Sequence, residues 1–304
     1  MRWTRGTRSS SIEDRRGASG SVGGGFGGGR LSLPGGRGAK IGIPGLLLLV
    51  LGVLINGGLG GGGGFDIPAG FDQLPPVEAA PAGGGLAGGP DPDAELVDFV
   101  SFVLDDVQAT WDEQFRLSGR TYEPTGLVLY ERGTPTAGCG YGEAAAGPFY
   151  CPADRKVYLD LAFFRELRSR FGAPGDYAQA YVLAHEIGHH VQNLLGTSGE
   201  VRELQAEQPD AGNELSVRLE LQADCLAGVW GHSTYQRDLL ESGDLQEGLT
   251  AAAAVGDDTL QRQSGRGVNP ESWTHGSSEQ RQTWFTRGFD SGDPGTCDTF
   301  AGDV

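Results

Sequence analysis

Apolar residues recur at helical spacing over residues 94–117, where Leu96, Phe99, Val100, Val103, Val107 and Trp111 fall on one side. Positions three and four apart stack on one helix face, so the pattern predicts an amphipathic helix with that face buried. A second run covers residues 177–195, in which Tyr177, Tyr181, Ala184 and Gly188 recur and Gly196 is a natural stop. A third extends from Asn213, a candidate N-cap, to Trp230, with Leu215, Leu219, Leu226 and Val229 as its stripe. Further helices are expected over 163–171, 244–263 and 277–287, the last opened by a Ser277/Gln280 capping box. Residues 127–130 and 157–161 read as short strands. The polar stretch 196–212, interrupted by Pro209, reads as a loop near a cleft. Many helices with few strands predict an α+β domain, mainly helical, with a small sheet.

Composition then divides the chain. Of its 53 Gly, 28 fall within residues 1–90, a stretch that cannot build a packed core. Residues 1–40 hold eight Lys/Arg against two acidic residues, a net of +6, whereas the whole chain carries −17. Residues 41–55 are almost wholly apolar, and no charge follows until Asp66. A bilayer core takes about 20 residues of helix, so residues 41–64 are expected to form one uncleaved N-terminal transmembrane helix. A basic flank stays cytoplasmic. The expectation is therefore a single-pass cell-membrane protein contacting the lipid bilayer, with residues 1–40 as a cytoplasmic tail and the rest extracytoplasmic. A cleaved signal peptide would need a small-residue site after the apolar run. A buried core helix is weakened by Gly42, Pro44, Gly45 and Gly52. Residues 65–92 then form a Gly/Pro-rich linker, 93–292 the folded domain and 293–304 a C-terminal tail. The −23 left on residues 41–304 argues against nucleic acid as a partner.

Chemistry enters with His185-Glu186-Ile187-Gly188-His189, which lies inside the second helix. A separation of four aims both imidazoles at one point, as Zn²⁺ requires. Glu186, offset by one residue, borders the same point and can take a proton from an activated water. A catalytic zinc site needs a third protein ligand, and Glu220 on the third helix is the best donor downstream. Asp224 shares its face and can accept the outer N–H of a ligating His, which fixes the tautomer. All four Cys follow the expected anchor, an even count that suits disulfides. Of three possible pairings, Cys139 with Cys151 and Cys225 with Cys297 is the expected one. A second zinc site is the rival, without C-x-x-C spacing to support it.

H-E-x-x-H followed on a later helix by E-x-x-x-D resembles the gluzincin metallopeptidases. More narrowly, the segments at 12–17 (IEDRRG), 151–160 (CPAD and VYLD), 184–192 (AHEIGHHVQ), 220–225 (ELQADC) and 272–276 (SWTHG) are similar to the bacterial neutral zinc metallopeptidases. The likeness covers nearly the whole chain apart from residues 57–94. It implies a zincin-like fold, His185, His189 and Glu220 as ligands, and Glu186 as base. In zincin folds an edge strand beside the active-site helix pairs with extended substrate, and 157–161 is its candidate here. In thermolysin-like enzymes a downstream His stabilises the oxyanion, a role that implies His275. The expected function is a membrane-anchored, zinc-dependent metallopeptidase, a metalloendopeptidase acting on a protein or peptide by metal-activated water. The alternatives are a non-enzymatic surface protein with a structural metal site and a zinc amidase acting on cell-wall crosslinks.

Overall fold

A computed structural model describes residues 1–6, 8–17, 90–143, 147–265 and 267–304. Strand β1 is Ile12–Asp14, and helix α1 is Ala94–Leu117. Strands β2 (Gly126–Tyr130), β3 (Gly133–Pro135), β4 (Tyr141–Glu143), β5 (Phe149–Cys151) and β6 (Lys156–Asp160) follow. The helices α2 (Ala162–Ser169), α3 (Asp176–Leu195), α4 (Thr197–Glu207), α5 (Gly212–Gln236), α6 (Asp244–Ala254), α7 (Asp257–Gln263) and α8 (Ser278–Ser291) complete the order. The domain is mainly helical with a small sheet, as the periodicity predicts.

Among the described residues the sheet runs β1-β2-β6-β5, with β3 and β4 as a separate pair. Strands β1, β2 and β6 are parallel and β5 is antiparallel to β6. Alternation across the strands gives the sheet two buried faces. Leu127, Leu129, Val157 and Leu159 join the main helical core, whereas Val128, Tyr130 and Tyr158 form a smaller cluster with Phe149 and Cys151. Both expected disulfides are present: Cys139–Cys151 beside that smaller cluster and Cys225–Cys297 between α5 and the C-terminal segment. Helices α5 and α8 pack backbone against backbone. A Cβ on Gly228 would lie 2.1 Å from Phe285 O, and one on Gly288 1.9 Å from Cys225 O.

Several expectations are corrected. Strand β6 is hydrogen-bonded on both sides, by β2 and β5, so it is no edge strand; the edge beside α3 is β5. Residues 197–207 are helical, not a loop. Only Ser198 and Val201 of that helix are buried, so its apolar stripe is too thin to read. The single helix expected over 244–263 breaks at Gly256, where a Cβ would sit 2.4 Å from Ser278 N. Asn213 does not cap α5; its side chain donates to Glu271 O at 2.9 Å.

The membrane anchor is also corrected. No helix of the described residues is long and apolar enough to cross a membrane, so the N-terminal transmembrane helix, the single-pass localisation and the contact with a bilayer are withdrawn; residues 41–64 themselves lie outside the described residues. The supposed cytoplasmic flank contributes β1 to the sheet of the domain, with Ile12 in register with Leu127. A bilayer between tail and domain would part a strand from its own sheet. Among the described residues, the basic side chains read as a positive-inside signal find carboxylate partners instead. Arg5 Nε lies 3.0 Å and Arg8 Nε 3.2 Å from Asp98, and Arg16 Nη2 lies 2.8 Å from Asp91. Trp3 packs edge-on against Phe99 of α1.

Candidate metal centre

Helix α3 presents His185 and His189 one turn apart, their ring centroids separated by 4.8 Å. Helix α5 lies close across them because Gly188, between the two His, has no side chain. A Cβ there would meet Ala223 O at 3.0 Å and Ala223 Cα at 3.2 Å. That approach brings in Glu220. Its Oε2 is 3.2 Å from His185 Nε2 and its Oε1 is 3.4 Å from His189 Nε2. The three residues thus offer one ligand atom each within 4.8 Å of one another. Two imidazole nitrogens and a carboxylate oxygen converging in this way fit a zinc site of the open, catalytic kind.

The outer ring nitrogens are held from behind. His185 Nδ1 lies 2.9 Å from Asp224 Oδ1 and His189 Nδ1 lies 2.9 Å from Gln192 Oε1. Because both partners are acceptors, each Nδ1 carries a proton and each Nε2 is turned toward Glu220, where a metal can displace its proton. Asp224, with no exposed surface, also accepts from Tyr181 OH and from two guanidinium nitrogens of Arg281 at 2.8 and 2.9 Å. Sequence reasoning found Asp224 and missed Arg281 and Tyr181. A signal for Arg281 did exist. On α8 it precedes Trp284, Phe285 and Gly288 at spacings of three, four and seven, so a cation occupies a position in the apolar stripe.

Charge follows from this packing. Burial alone would lower the His185 pKa, but Asp224 and Glu220 outweigh it and push it up to about 10. Burial would raise Glu220, yet His189 and His185 hold it well below the usual carboxylate range. The same carboxylates that favour protons on these rings favour a divalent cation in their place. Glu186 behaves differently: burial raises its pKa, with the two His rings opposing. It is 8% exposed, and among the described residues its carboxylate accepts no hydrogen bond.

The remaining His residues divide clearly. His190 is buried between Tyr150 OH, 3.0 Å from Nδ1, and Glu123 O, 2.6 Å from Nε2, so both nitrogens are committed to the fold. His232 Nδ1 bonds Phe289 O at 2.7 Å. His275 stands before the capping box that opens α8, which forms as expected. Its Nδ1 is 3.2 Å from Asp257 Oδ1, while Asp257 Oδ2 accepts from the backbone N–H groups of Thr274, His275 and Gly276. His275 is also among the charges that depress Glu220, which ties it electrostatically to the cluster.

The family described as "Putative neutral zinc metallopeptidase" matches residues 1–300. The chain belongs to this family. Membership implies Zn²⁺ as the metal and agrees with the His-His-Glu grouping. It also implies a hydrolase and a protein or peptide substrate. The chain is 48% identical over 301 residues to "Uncharacterized protein YpfJ" of Escherichia coli (strain K12), covering 99% of both chains. It is 48% identical over 206 residues to "Uncharacterized protein Rv2575" of Mycobacterium tuberculosis (strain H37Rv), covering 64% of this chain and 67% of that one. No solved structure matches.

Proposed function

We propose that this member of the family is a zinc metallopeptidase that cleaves peptide bonds, with His185, His189 and Glu220 holding the metal. The observation that carries the reading is the free carboxylate of Glu186 beside three converged donors. A site that only staples a fold closes with four protein ligands, and among the described residues this grouping has three. Zn²⁺ bound there would polarise a carbonyl and acidify a water molecule.

Glu186 takes the proton of the attacking water and passes it to the leaving amine. Its buried carboxylate lies beside the converged donors, where it can accept that proton. Asp224 keeps His185 in the tautomer that presents Nε2, and Arg281 neutralises Asp224 within the core. His275, its Nδ1 engaged with Asp257, offers Nε2 as a hydrogen-bond partner for the oxyanion of a tetrahedral intermediate.

The test is the purified full chain with one equivalent of Zn²⁺ and an unbiased peptide library. Glu186→Gln should keep its zinc and lose turnover by about 10³-fold or more, the scale of general-base and electrostatic losses. Equal product formation by wild type and variant would remove Glu186 from the mechanism. Sequenced products, with and without chelator, would report whether cleavage is internal to the peptide.

A further inference from the structure

Gln192 is one turn beyond His189 on α3, and its side chain has no exposed surface. Both N–H donors and the oxygen of its amide are engaged. Oε1 faces His189 Nδ1 at 2.9 Å. Nε2 donates to Leu219 O at 2.7 Å and to Gln222 Oε1 at 3.1 Å. One amide therefore grips the ring of a proposed ligand on α3 and the backbone immediately before another, Glu220, on α5. Its orientation has a cause further out. Gln222 Nε2 donates to Cys297 O at 3.0 Å, which turns Gln222 Oε1 back toward Gln192. The Cys297 carbonyl is fixed in turn by the buried Cys225–Cys297 disulfide, whose other sulfur sits on α5 itself.

We infer that Gln192 is the positioning residue that sets His189 and Glu220 against one another, held in that orientation by Gln222 and the disulfide-anchored Cys297 carbonyl. The inference rests on the metal-centre reading above. It makes the C-terminal disulfide part of the support of the site, although neither sulfur touches a ligand. A relay of this kind loses its effect wherever it is cut, and further cuts add nothing.

Zinc affinity of the full chain, measured by chelator competition, tests it alongside the unfolding midpoint of the zinc-free chain. Removing a partner of a metal-ligating His costs about 10–100-fold in metal affinity, and Gln192→Ala should fall in that range. Gln205→Ala is the control. Its amide bonds Gly212 O and Ser216 Oγ, away from every proposed ligand, so it should shift the midpoint and leave zinc affinity unchanged. Gln222→Ala and the double variant Cys225→Ser/Cys297→Ser should each weaken zinc several-fold, and combining them should weaken it no further. Gln192→Ala with wild-type zinc affinity overturns the inference while leaving the metal centre intact, as do losses that multiply in the combined variant. A wild-type chain that takes up no zinc overturns the metal centre itself and this inference with it. Should the cysteine variant fail to fold, Gln192→Ala and Gln222→Ala still decide the matter.

Discussion

Helix α3 carries a cluster of cation-seeking side chains near each end, and the two have different fates. Near its start, Asp176 meets Asp244 and Glu247 of α6; toward its end, His185 and His189 meet Glu220. By donor count and spacing they are alike, since in each three ligand atoms lie within 4.8 Å of one another. At the first, the chain supplies its own cation. The α-amino group of Met1 lies 2.5 Å from Asp176 Oδ1 and 3.2 Å from Asp244 Oδ2. At the second, the arginine that approaches among the described residues is Arg281, bound to Asp224 and 3.9 Å from Glu220. Both imidazoles there turn Nε2 inward, toward Glu220. Converging donors suit a metal where no ammonium is seated among them and the ring nitrogens are turned toward one point.

The sharpest way to break this comparison is to remove one acid from each cluster. Glu220→Ala should weaken zinc binding by about 100-fold or more, beyond the range seen for outer partners, whereas Asp244→Asn should leave stoichiometry and affinity unchanged in the same titration. The opposite pattern would exchange the two roles. Next in size is Arg281→Met, which strands the Asp224 charge in the core. Breaking a buried pair from one side costs about 3–5 kcal/mol, to be read as a lower urea midpoint. An unchanged midpoint would mean that Asp224 is neutral without Arg281.

A smaller effect should appear with pH at the first cluster. Burial opposes the charged form of the Met1 ammonium, but Asp176 and Asp244 raise its pKa above 8.0 on balance. A group whose folded pKa is raised contributes fully below its unfolded value and loses that contribution as pH climbs through the folded one. Stability should therefore decline above pH 8.0, and Asp244→Asn should flatten the decline. A zinc-free unfolding series across alkaline pH reads this directly. The smallest change in zinc uptake belongs to His190→Asn. Both nitrogens of His190 serve Tyr150 and Glu123, so zinc stoichiometry should stay as in wild type. A lost equivalent would make His190 a ligand.

Different parts of the molecule were legible to different degrees. His185 with His189, and Glu220 with Asp224, share helix faces because a spacing of four imposes it, so each pair could be read in isolation. Apolar stripes marked α1, α3 and α5 because a buried face repeats with the helical period. Helix α4 escaped because it buries almost nothing, and the break at Gly256 escaped because its cause, Ser278, lies on another element. Strand β1 is three residues long and pairs with a strand more than a hundred positions away, so no local pattern could announce it. Arg5 and Arg8, ahead of that strand, looked like a membrane flank because their carboxylate partner, Asp98, is remote in the chain.

What the amino-acid order determined alone was therefore whatever spacing along a helix dictates: two imidazoles on one face, two carboxylates on another, and an acid offset by one position from the first pair. Only the tertiary structure decided that these faces oppose one another, that Gly188 lets them close, and that Arg281 and Gln192 stand behind them. It alone decided that the first residues of the chain complete the sheet. The physical reason is that helical periodicity is set by backbone geometry within a few residues, whereas a contact between elements is set by the packing of the whole core.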